Sequence, residues 1–140
     1  MRVLLKVLKA LSDEVRLRIL KVLQERDELC VCEIMEALDI SQTRASRNLG
    51  ILRDAGFVTD RREGFRIYYS INHRKINEYH YQLIKLLSKW LNEEEVVQKD
   101  KKRLKRVMKL GLKDKCVKNV KYQERRLKNG VVNRISKRRG

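Results

Sequence analysis

Cys30 and Cys32 stand one residue apart in the stretch Glu28-Leu29-Cys30-Val31-Cys32-Glu33, and two thiols this close can share a single soft ion. Trivalent arsenic and antimony favour thiolate sulfur, and cadmium, lead and zinc also bind it. The same pair can serve as a redox couple, or both side chains can be buried as small hydrophobes. On an ideal helix residues i and i+2 point roughly 200° apart, so one ion held by both sulfurs would have to distort the turn that carries them. A third ligand would come from Cys116, an added thiol or water, although Cys116 also reads as an incidental cysteine. Met1 to Leu11 mixes Arg2, Lys6 and Lys9 with leucine and valine and lacks the apolar stretch and cleavage site of a signal peptide, which points to the cytoplasm and reduced thiols.

A second set of residues has the chemistry of base and phosphate recognition. Gln42, Thr43, Arg44, Ser46 and Arg47 crowd the start of one helical stretch; glutamine can address adenine, and arginine guanine, in a major groove. Arg61, Arg62 and Arg66 follow on a short β-type segment, at a distance suited to phosphate or the minor groove. The plain alternative for the first group is ordinary polar residues on the surface of a helical bundle, and the position of the basic hairpin straight after that helix strengthens the recognition reading. No glycine-rich phosphate loop, no nucleophile with a base and no paired carboxylates are present, so an enzyme is not expected.

The elements that must position these residues follow from the apolar spacing. Leu4, Leu5, Leu8 and Leu11 mark a first helix; Ser12 and Asp13 offer cap oxygens to a second, marked by Val15, Ile19, Leu20, Val22 and Leu23. Leu29 to Leu38 reads as a third helix, Asp39-Ile40 as a tight turn, and Ser41 as the cap of a fourth helix reaching Ala55, with Gly56 as its stop. Ala45, Leu49, Ile51 and Leu52 give that helix a face to bury. Two β-type runs around Glu63-Gly64 predict a hairpin. From His73 the helical pattern returns through Ile76, His80, Leu83, Leu87, Trp90, Val97, Leu104 and Met108. His73 reads as a helix-start residue, His80 as a core or interface histidine, and Trp90 and Tyr68-Tyr69 as packing residues. The expectation is a mainly α chain with a small β-hairpin wing, a winged helix-turn-helix.

Charge divides the 140-residue chain unevenly. Residues 1–98 carry 17 lysines and arginines against 15 acids, whereas residues 99–140 carry 18 against 3, so nearly all of the +17 lies in the last third. That excess favours a polyanion, with a solvated tail as the plain alternative. The expected division is a DNA-binding and dimerisation domain over 1–92 and a basic helical extension with a flexible tail over 93–140. No apolar run is long enough to span a bilayer, and no membrane role is expected.

Three stretches resemble the ArsR/SmtB family of winged-helix repressors: Leu8 to Leu20, Glu28 to Glu33, and Ser41 to Leu49 followed by Leu52-Arg53-Asp54-Ala55-Gly56. The resemblance covers roughly residues 5–92 by motif matching. It implies a homodimer built on the first and last helices, binding double-stranded operator DNA without a cofactor and released by a metal or metalloid. Glu-Leu-Cys-Val-Cys resembles the arsenite-sensing branch, which implies arsenite or antimonite as inducer held by Cys30 and Cys32. The third cysteine often found there is replaced by Met35, a poor ligand more suited to core packing. The histidine-rich site of the zinc-sensing branches has no counterpart, since His73 and His80 are the two histidines. Thiol redox sensing, a response to cadmium, lead or zinc, and constitutive nucleoid or RNA binding through the basic tail remain the alternative readings.

Overall fold

The computed structural model describes residues 1–111; Cys116 and the remainder of 112–140 lie outside the described residues. Among the described residues six helices and three strands follow one another as α1 (Arg2–Leu11), α2 (Glu14–Leu23), β1 (Leu29–Cys30), α3 (Val31–Leu38), α4 (Gln42–Asp54), β2 (Val58–Glu63), β3 (Arg66–Ile71), α5 (Glu78–Leu87) and α6 (Glu95–Leu110). Helices α3 and α4 with the β2–β3 hairpin form a winged helix-turn-helix, as the sequence pattern predicts.

Side-chain caps fix where the helices begin. The carboxylate of Asp13 accepts from the Arg16 amide at 3.1 Å, the Ser41 hydroxyl from the Arg44 amide at 3.2 Å and the Asn77 side chain from the His80 amide at 3.0 Å. Helix α3 ends at Asp39, whose φ of 55° is the left-handed conformation that a short polar side chain tolerates. That residue turns the chain sharply into α4. The core beneath is continuous: Ile19, Leu20 and Leu23 of α2, Leu29, Ile34 and Leu38 around α3, Leu49 and Leu52 of α4, and Phe57 are essentially water-free.

Several local expectations change in the folded chain. Leu29 and Cys30 are extended and not helical, because their backbone pairs antiparallel with Tyr69 and Tyr68 of β3, giving a sheet ordered β1-β3-β2. The thiol pair therefore straddles a strand end and a helix start, not two positions on one helix. Ile51 is 38% exposed, since the buried face of α4 runs through Ala45, Asn48, Leu49 and Leu52. His73 precedes the Asn77 cap, outside any helix. The helical pattern after it breaks over residues 88–94, where Leu91 adopts a φ of 67°, and Trp90 is left half exposed. His80, in contrast, is fully buried, its Nε2 3.0 Å from the Arg74 carbonyl oxygen. Gly56 sits beside it at a φ of 89°, where a Cβ would meet His80 Nδ1 at 3.6 Å.

Beyond the break, α6 folds back onto α2 and α3. It buries Val97, Asp100, Leu104 and Val107. Asp100 is 1% exposed and accepts from Arg18 Nε at 2.7 Å and from Arg103 at 2.8 Å; Arg18 also donates to the Leu38 carbonyl and Arg103 to the Ala37 carbonyl. Two orphan carbonyls at the end of α3 are thus satisfied by guanidinium groups held on one carboxylate. Lys21 closes the neighbouring helix end, donating to the Leu87 carbonyl and the Asn92 side chain, both at 2.8 Å. Burial pushes its ammonium below the usual lysine range, with nearby Lys101 adding to the effect.

Candidate DNA interface and thiol site

On α4 the side chains sort by exposure. Gln42, Thr43, Arg44, Ser46 and Arg47 are exposed, while Ala45, Asn48 and Leu49 face inward. All five sequence-selected residues of this helix therefore share its outer surface at the N-terminal end. Asn48 is a site residue that the sequence reading missed. Its oxygen accepts from Arg16 at 2.9 Å and its amide donates to the Arg44 carbonyl at 2.8 Å, while Arg16 also donates to the carbonyls of Ala10 and Lys9. Arg16 thereby ties the end of α1 to the back of α4. The signal was a polar residue at a helical position among apolar ones, which a surface reading absorbs easily.

The three wing arginines have different surroundings. Arg61 bonds Glu28 at 2.6 Å and Glu63 at 2.7 Å, and its guanidinium lies 4.6 Å from the centre of the Tyr68 ring. These carboxylates raise its pKa, chiefly through the hydrogen bonds that Arg61 donates to Glu28. Its charge is therefore already answered within the chain. Arg62 is exposed near the hairpin tip, and Arg66, half buried, faces Glu63 across the ladder. Arg53 bonds Asp60 at 2.9 Å and so braces the end of α4 against β2.

Cys30 is 1% exposed and Cys32 half buried; both pack with Tyr68. Cys30 is also the N-cap of α3. Its side chain accepts from the Glu33 amide, and the Glu33 carboxylate accepts from the Cys30 amide at 2.9 Å, a reciprocal capping box with sulfur in the place usual for a hydroxyl. Glu33, 2% exposed, is a second residue that sequence reasoning missed. Two sulfur donors at one helix start suit a soft ion, and the described residues contain no group of three or more His, Cys, Asp or Glu placed to hold a metal. Met35 is half buried. No helix among the described residues is long and apolar enough to cross a membrane.

Residues 13–60 match the family described as bacterial regulatory protein, arsR family. The chain is 35% identical to the homodimeric winged helix-turn-helix DNA-binding domain Mb0332 of Mycobacterium bovis, a possible ArsR-family regulator, with a TM-score of 0.54 over 67% of this chain and 82% of that one. This chain belongs to the arsR family of regulatory proteins. Among its arsR-family relatives are the arsenic resistance transcriptional regulator ArsR1 of Pseudomonas putida, 44% identical over 47% of this chain and 52% of that one. The CadC homolog of Staphylococcus aureus, a cadmium resistance regulatory protein, is 38% identical over 52% of this chain and 60% of its own length. The chain thus spans between half and three-fifths of these two relatives. The arsR-family match over 13–60 includes Cys30, Cys32 and the whole exposed face of α4.

Proposed function

We propose that this chain is a homodimeric repressor that reads operator DNA with α4 and is released from it when Cys30 and Cys32 bind a trivalent arsenic or antimony species in the cytoplasm. The carrying observation is the placement of Cys30, whose side chain caps α3 and whose backbone pairs with Tyr68, two residues from the second thiol, Cys32. Gln42, Thr43, Arg44, Ser46 and Arg47 enter the major groove, and Arg62, with Arg61 and Arg66 beside it, approaches the backbone. Arg61 must first give up Glu28 to do so. The dimer forms through α1 and α5, whose Leu5, Leu8, Tyr79 and Leu86 are each at least 40% exposed in the single chain.

Arsenite binding proceeds by exchange. Two arsenic–sulfur bonds form, two arsenic–oxygen bonds break, and the thiol protons leave with the hydroxyls as two molecules of water. The sulfur of Cys30 can then no longer accept from the Glu33 amide in the same geometry, so the first turn of α3 rearranges. Because α3 packs on α4 and Cys30 pairs with β3, both DNA-facing elements shift together, and the ligand favours the conformation that does not fit the operator. Relatives named for arsenic and cadmium resistance support a thiophilic inducer.

The test is fluorescence anisotropy on a duplex selected by this protein from random sequence, under reducing conditions, with arsenite, antimonite and cadmium titrated separately. Arsenite and antimonite are expected to release the wild type and to leave the Cys30→Ser/Cys32→Ser variant bound. Release by cadmium alone would move the inducer to divalent ions, and release of the double variant would remove the thiols from the mechanism.

A further inference from the structure

Helix α6 has two opposed faces. Val97, Asp100, Leu104 and Val107 point inward, and Lys99, Lys102, Lys105, Arg106 and Lys109 form an exposed strip on the other side. Among the described residues, Lys99 pairs with Glu95 at 3.1 Å, while Lys102, Lys105, Arg106 and Lys109 make no ion pair. This differs from the first 98 residues, where 17 cations are matched by 15 acids. Asp100, the one carboxylate between Lys99 and Leu110, is buried and already engaged by Arg18 and Arg103.

We propose that the outer face of α6 is a second DNA contact, gripping backbone phosphates beside the operator segment read by α4. The occupant follows from charge and spacing. From Lys99 to Lys109 the strip is about 15 Å long at 1.5 Å per residue. B-DNA carries one phosphate per about 3.4 Å of helix axis on each strand, and because the strand winds about that axis its phosphates lie farther apart along the strand, so a straight strip of this length reaches roughly two or three of them. A loose basic tail would grip any polyanion at any register. This strip is instead held in place, because Arg103 bonds the Ala37 carbonyl at 2.8 Å and Arg18 joins Asp100 to the Leu38 carbonyl. Those carbonyls end the first helix of the helix-turn-helix, one turn of chain ahead of α4. The strip therefore keeps a fixed position relative to the reading helix and adds its phosphates in register with the operator.

The inference rests on the DNA-binding reading above, and the experiment separates the two. In the full chain, Lys102, Lys105, Arg106 and Lys109 are replaced together by glutamine. A charge-keeping control, Lys102→Arg/Lys105→Arg/Lys109→Arg, and Arg47→Ala are measured beside it. Anisotropy on operator and random duplexes from about 50 to 200 mM salt gives the slope of log affinity against log salt. The glutamine variant is expected to melt like the wild type and to lose about one unit of slope for each phosphate contact removed, while the arginine control keeps the wild-type slope. Arg47→Ala should lose operator preference at nearly unchanged slope. A glutamine variant with wild-type slope and affinity, beside an Arg47→Ala variant that has lost preference, overturns the α6 contact and leaves the DNA reading standing. Failure of the wild type to bind any duplex overturns both.

Discussion

Serine at position 30 separates the capping role of the thiol from its proposed role as a ligand. A serine hydroxyl is a good helix cap and can keep the reciprocal bonds with Glu33, but it offers no soft donor. Cys30→Ser is therefore expected to melt close to the wild type and to stay on its operator in arsenite, checked by thermal denaturation and by anisotropy. Release at the wild-type arsenite concentration would take the ligand role away from Cys30. Arg47 carries a different prediction, since it is exposed on the outer face of α4. Arg47→Ala should weaken operator binding by about 1 to 3 kcal/mol, with a smaller loss on random duplex. An equal loss on both would reduce Arg47 to a phosphate contact. Arg61 stands apart because Glu28, Glu63 and Tyr68 already engage it. Its position in the sequence marked it as a DNA contact, and only the folded strand register shows which carboxylates lie within reach.

Between elements, the decisive joint is α6 on α2 and α3. Asp100 is buried among two arginines, and removing one member of a buried pair leaves the rest of the charge without compensation. Asp100→Ala is expected to cost about 3 to 5 kcal/mol of stability, read from denaturant unfolding, and to open α6 to proteolysis first. Unfolding at the wild-type midpoint would mean that α6 contributes little to the folded unit. The same joint bears on the division of the chain. A boundary near residue 92 falls in the turn that Leu91 makes, yet the helix after it supplies Leu104 to the core shared with α2 to α4. We therefore extend the proposed folded unit to Leu110, with the basic tail beginning after it. Helical periodicity announced α6 through Val97, Leu104 and Met108, but its partner could not be read, because an apolar stripe does not say which surface it meets.

For the whole molecule, the exposed leucines of α1 and α5 define the proposed dimer. Val7 and Ala10 of α1 are buried while Leu5 and Leu8 are 47% and 46% exposed, so the helix turns one apolar edge inward and another to solvent. A two-fold interface doubles every substitution, and Leu8→Glu/Leu86→Glu would place four carboxylates across it. That variant is expected to sediment as a monomer and to lose operator affinity while keeping its helical content. A persistent dimer would move the interface elsewhere. Arg16 and Asn48 then gain a larger meaning, since they connect the proposed dimer helix α1 to the proposed reading helix α4. Much of this protein was set by its sequence alone: the caps at Asp13 and Ser41, the tight turn at Asp39, the hairpin around Gly64, the thiol pair and the exposed polar set on α4. These depend on residue type and short-range spacing, which act within a turn or two of chain. Tertiary structure decided the rest. Leu29 and Cys30 became a strand because β3 offered them backbone partners, Ile51 turned outward because Asn48 took the inner position, and α6 was tied to α2 through a carboxylate 82 residues from the arginine it binds, which in turn reaches the Leu38 carbonyl at the end of α3. Long-range pairings of this kind are fixed by which buried polar groups can satisfy one another, and local spacing holds no record of that.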